Sequence, residues 1–146
     1  MLLLLAPGGT LGATSLSASE SGIANTTQLA YSRPMKAMFV ELPAFARLRP
    51  DYVDDEGLRA LQAALLENPE AGAVIEGTGG LRKLRRADPR RGKGKRGGLR
   101  VIYYWWDGRY QFWLFTLYDK DEMDDLSAKE KKLLKDMLKR ELEARQ

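Results

Sequence analysis

The sequence of 146 residues predicts a single small α+β domain, with helices packed on an antiparallel β-sheet. Three observations carry that expectation. Leu99–Trp106 and Arg109–Tyr118 are dense in β-branched and aromatic residues, as strands are. Asp107-Gly108 between them is a hairpin signal. The segments before and after this pair carry apolar residues at helical spacing.

The elements follow in chain order. Residues 1–34 hold one acid, Glu20, and one base, Arg33, among many Ser, Thr, Gly and Ala. The apolar run in MLLLLAP is far shorter than a membrane span, and no cationic region precedes Leu2 as in a secretory signal. A disordered leader is therefore expected over 1–34. Composition changes at Met35 to MKAMFVELPAF, which places the expected native start there and the folded domain at 35–146. Lys36–Leu42 alternates as a first strand. Pro43 opens a short helical turn carrying Phe45 and Leu48, and Pro50 is expected to stop it. Asp54 or Asp55 can cap a helix through Leu66, with Leu58, Leu61 and Leu65 on one face. Asn68-Pro69 ends it.

After the GTGG stretch Gly77–Gly80, a short strand is expected over Leu81–Arg86. The loop RADPRRGKGKRGG, with Pro89 and Gly92, Gly94, Gly97 and Gly98, is expected to be irregular. A two-residue turn at Asp107-Gly108 would set Trp106 against Arg109. It would then set Val101 against Leu114, Tyr103 against Phe112 and Arg100 against Phe115. Bulky apolar residues on both faces of the hairpin imply cover on both sides. Ser127–Glu130 is a capping box. It opens a final helix in which Leu126, Leu133, Leu134, Met137 and Leu138 recur at helical spacing. The expected order is β-α-α-β-β-β-α.

Composition narrows the chemistry. The chain has no cysteine and no histidine. Disulfides and thiolate metal sites are excluded, and so are the commonest general base and metal ligand. Net charge is +4, with a sequence pI near 9.4. That charge is concentrated: Leu81–Arg100 holds ten Lys or Arg and one acid, Asp88. Such a cluster points to a polyanionic partner, nucleic acid before membrane.

A strand advances about 3.3 Å per residue, so Arg100, Tyr118, Lys120 and the basic loop are expected within roughly 15 Å of one another. Arg82, Arg85 and Arg86 on the entering strand, with Arg90, Arg91 and Arg96 in the loop, would line a phosphate-binding floor. Tyr118 would stack on an exposed base. RNA supplies its own nucleophile, the 2′-hydroxyl. Cleavage then needs a base, a clamp on the pentavalent phosphate and an acid for the leaving 5′-oxygen. Crowded cations lower a lysine pKa, which makes Lys93 or Lys95 a candidate base. Arg100 offers a planar bidentate fork for the phosphate, and Lys120 a proton for the leaving group. This scheme calls for no metal and no cofactor. The acidic stretch Asp119, Asp121, Glu122, Asp124 and Asp125 is expected to serve the N-terminal dipole of the last helix rather than Mg²⁺.

GGLRKLR (Gly79–Arg85), GGLRVIYYW (Gly97–Trp105) and LYDKDEMDDLSAKEKKLL (Leu117–Leu134) resemble the RelE/ParE toxin superfamily, and most closely the RelE-like HigB toxins of type II toxin–antitoxin operons. The resemblance covers about residues 36–142 and implies the same element order. It implies a cytoplasmic, ribosome-dependent mRNA interferase, an endoribonuclease that cuts mRNA in the ribosomal A site and is neutralised by a cognate antitoxin. It also implies that Arg100 contacts the scissile phosphate, that Lys93 and Lys95 act as base or clamp, and that Lys120 acts as general acid. RelE toxins carry a tyrosine near the start of the last helix, where this chain has Leu126. Two other functions are compatible with the same residues. One is a ParE-like gyrase-inhibiting toxin without nuclease activity, and the other a non-catalytic nucleic-acid-binding protein.

Overall fold

Alternating burial along Lys36–Glu41 and continuous burial along the hairpin make this sheet the middle layer of the molecule. The structure is a computed structural model, which describes residues 12–17 (backbone only), 36–88, 92, 94, 98–123 and 125–145. Among these, the strands are β1 (Gly12–Ser17), β2 (Lys36–Glu41), β3 (Ala73–Val74), β4 (Arg82–Arg86), β5 (Leu99–Trp106) and β6 (Gln111–Asp119). The helices are α1 (Pro43–Tyr52), α2 (Asp55–Glu67) and α3 (Ala128–Arg145). The spatial strand order is β1-β2-β6-β5-β4-β3. The expected α+β class and the order β-α-α-β-β-β-α are both present, within a larger sheet.

Four local expectations are corrected. Gly12–Ser17 pairs antiparallel with β2, so these six residues are not an unstructured leader. The pairing of β2 with β6 is parallel, which makes the sheet mixed. Helix α1 runs through Pro50 to Tyr52. Pro50 and Ala46 are both exposed, so the carbonyl that loses its donor faces water. Finally, the hairpin loop has four residues, Asp107–Tyr110, and sets Trp106 against Gln111. Tyr110 closes it at φ 53°, and Arg109 N donates to Trp106 O at 3.2 Å. A β-bulge between Ile102 and Tyr103 shifts the register once more. Val101 therefore faces Leu117, Tyr103 faces Leu114, and Arg100 faces Tyr118 rather than Phe115.

Both faces of the hairpin are covered. Phe39, Val101, Tyr103, Phe112, Leu114 and Leu117 pack under Phe45 of α1 and Leu61 and Leu65 of α2. Phe112 stacks on Phe39 with ring centroids 4.8 Å apart. On the opposite face Ile102, Trp113, Phe115 and Tyr118 pack under Leu126 and under Leu134 and Leu138 of α3. The capping box forms as expected: Ser127 N donates to Glu130 Oε1 at 2.9 Å, and Glu130 N to Ser127 Oγ at 3.1 Å. Asp54 caps α2 by accepting from Gly57 N at 2.8 Å.

Candidate functional site

At the end of the sheet remote from the hairpin turn, three strands set Arg85 beside Arg100 and Arg100 beside Tyr118. All three side chains project to the α3 face, because they pair directly across the strands and Tyr118, like Ile102 two residues from Arg100, packs beneath α3. The strand ends are pinned at Gly98. A Cβ there would lie 2.3 Å from Arg86 O and 2.6 Å from Gly94 O, so the backbone approach requires glycine. Lys120 N donates to Gly98 O at 3.1 Å, which brings the start of the post-β6 turn to the same point.

The cations at this margin differ in depth. Arg85 is exposed and Lys120 half-buried. Arg100 is only 3% exposed, and its Nη1 donates to Leu99 O at 3.3 Å. It forms the floor of the site rather than its surface. Tyr118 is 2% exposed and packs in the core beneath α3. The expectation that its ring stacks on an exposed base is corrected: α3 already covers it. Among the described residues its hydroxyl has no hydrogen-bond partner. Burial first, and then the charge of Asp125, push its pKa up to about 12, and the neighbouring Arg100 acts against them.

Strand alternation removes two other expected phosphate ligands from this face. Arg82 Nη1 donates to Glu70 O at 2.8 Å and to Gly72 O at 3.4 Å. Tyr103 OH secures the same segment by donating toward Pro69 O at 3.0 Å and Ala71 O at 2.6 Å. Arg82 is thus a clamp on the loop before β3. Arg86 lines a cleft of about 510 Å³ on the α1–α2 side, with Tyr52, Asp54, Asp88 and Leu99. Lys93, Lys95, Arg90, Arg91 and Arg96 lie outside the described residues.

Lys83 belongs to the site and was not expected there. It sits two residues before Arg85 on the same strand, and its Nζ lies 3.3 Å from Asp125 Oδ1. The period-2 spacing of Lys83 and Arg85 was the available signal. Asp125 also accepts from Leu126 N at 2.7 Å. That backbone bond, followed by Lys83, holds its carboxyl below the usual range. Asp119 is buried and accepts from Asp121 N at 2.7 Å, and Tyr52 OH donates to Glu122 at 2.6 Å. These carboxylates build the turn leading into α3.

Among the described residues no helix is long and apolar enough to cross a membrane. Searched against known protein families, the chain matches no family model.

Proposed function

We propose that this chain is a RelE-like toxin, an endoribonuclease that cleaves mRNA in the ribosomal A site and is held in check by a cognate antitoxin. The observation that carries the reading is the row Arg85–Arg100–Tyr118 at the sheet margin where the basic loop starts. Arg85 and Lys120 at this margin are accessible to receive a polyanion. The resemblance of the Gly97–Trp105 and Leu117–Leu134 motifs to HigB toxins supports the same reading.

In the proposed reaction the ribose 2′-oxygen loses its proton to Lys93 or Lys95 and forms a bond to phosphorus. The bond from phosphorus to the 5′-oxygen breaks, and Lys120 returns a proton to that oxygen. The products are a 2′,3′-cyclic phosphate and a 5′-hydroxyl. Arg85 neutralises the phosphate from outside, while Arg100 beneath it supplies fixed positive charge where negative charge develops. The reading places the protein in the cytoplasm with translating ribosomes, and the antitoxin over the basic margin.

Brief induction of the chain, followed by mapping of mRNA 5′ ends, tests this. Frame-positioned cuts confined to translated messages are expected. Intact messages with gyrase-dependent DNA breaks would instead identify a ParE-like activity. The burial of Arg100 and Tyr118 favours a second reading, a nucleic-acid-binding protein without chemistry. That reading predicts intact messages, intact DNA and salt-sensitive binding alone.

A further inference from the structure

Strand β2 divides its backbone between two neighbours. Met38 N donates to Tyr110 O at 3.0 Å and Leu42 N to Leu114 O at 2.9 Å, so the even-numbered residues face β6. Ala37, Phe39 and Glu41 therefore turn their N–H and C=O groups to the outer edge. There β1, the end strand of the sheet, takes them: Leu16 lies opposite Ala37, Thr14 opposite Phe39 and Gly12 opposite Glu41.

This cover matches the edge poorly in sequence. GATSLS holds one large apolar residue, Leu16, and its Gly and Ala are weak strand formers. It sets Ser15 against Met38 and Ala13 against Val40. Met38 remains 39% exposed with β1 in place. A second copy of β2 is a better match. Antiparallel pairing about a two-fold axis at Phe39 sets Phe39 against the partner's Phe39, and Met38 against the partner's Val40 on both sides of the axis. It also brings the Lys36 end of each strand alongside the Glu41 end of the other.

We infer that the outer edge of β2 is a self-association surface for a second copy of this chain, and that residues 12–17 keep it covered. The two occupants compete for the same backbone groups. β1 has the advantage of a tether, since residues 18–35 join it to β2, and such a tether acts as a local concentration of order millimolar. The full chain is therefore monomeric at micromolar concentration and pairs through β2 when β1 is released. The inference does not rest on the nuclease reading, since none of its residues belongs to the margin of β4, β5 and β6.

Sedimentation velocity of the full chain tests it. Thr14→Pro, Leu16→Pro removes two N–H groups that β1 gives to β2 and leaves the pairing of β2 with β6 in place. Circular dichroism checks that the rest stays folded. This variant is expected to dimerise at a concentration at least about tenfold below that needed by the unmodified chain. Adding Met38→Lys, at an exposed position, sets an ammonium across from the partner's Val40 and should restore the monomer. A covalent lock gives a second reading in a chain that has no cysteine of its own. Ser17→Cys, Lys36→Cys puts two thiols at a directly opposed, non-hydrogen-bonded pair, whose Cα separation of about 4.5 Å suits a disulfide. The oxidised protein should stay monomeric at concentrations where the reduced protein dimerises. A folded proline variant no more prone to dimerise than the unmodified chain would overturn the inference. So would a dimer indifferent to Met38→Lys, which would place the contact elsewhere. Where the proline variant does not fold, the lock decides alone: equal dimerisation in both redox states, or no dimer of the reduced protein up to about 1 mM, would overturn the inference.

Discussion

Arg100 and Tyr118 are direct cross-strand partners, both almost fully buried, on the face that α3 covers. The guanidinium charge opposes the effect of burial and of Asp125 on the tyrosine hydroxyl. The margin where RNA is proposed to bind is thus continuous with the core, and changes there report on both stability and function.

Tyr118→Phe should leave stability unchanged or raise it by up to about 1 kcal/mol, because it removes a buried hydroxyl without a hydrogen-bond partner among the described residues. Urea unfolding midpoints measure this. A loss larger than about 1 kcal/mol would mean that the hydroxyl is engaged in the folded protein.

The folded pKa of Tyr118 is raised to about 12, above the ordinary tyrosine value near 10. A raised folded pKa contributes stability that is fully present below the unfolded pKa and is lost as pH rises through the folded one. Burial raises Tyr103 in the same direction. Stability should therefore be insensitive to these groups up to about pH 10 and fall between about pH 10 and 12. Tyr118→Phe should blunt that fall, as read by denaturant titration at successive pH values. An identical alkaline profile in the variant would contradict the assignment.

Gly98→Ala should be severe, at about 2–3 kcal/mol or complete loss of folding, because the new methyl meets backbone oxygens at 2.3 and 2.6 Å that cannot rotate away. By contrast Ser127→Ala should cost only about 1 kcal/mol, through loss of one half of the α3 capping box. Thermal melts of the two variants side by side provide the comparison.

The hairpin, the two helices before it and the capped helix after it were legible because each carries a local signal. Examples are the aromatic run Val101–Trp106, the Asp54 cap and the Ser127–Glu130 box. Register was not legible, because Asp107-Gly108 supports a two-residue turn while the real loop also takes in Arg109 and Tyr110. Parallel pairing of β2 with β6 has no turn chemistry to announce it. For the site, alternation already separated Arg82 and Arg86 from Lys83 and Arg85, since a strand shows odd and even residues to opposite faces. The burial of Tyr118 depended on where α3 docks, which is a tertiary fact that no spacing along β6 encodes.

The central claim is that cations at the margin of β4, β5 and β6 hold a ribose–phosphate link for cleavage. Its most direct measurement is single-turnover cleavage of a message programmed into purified ribosomes, comparing the unmodified chain with Arg85→Gln and Arg100→Lys. Arg85 is exposed, so its variant keeps the fold, and Arg100→Lys retains the charge but not the fork. The account predicts cleavage yielding a 2′,3′-cyclic phosphate, slowed at least about tenfold by either change. Cleavage at full rate in both folded variants, or none by the unmodified chain, would contradict it.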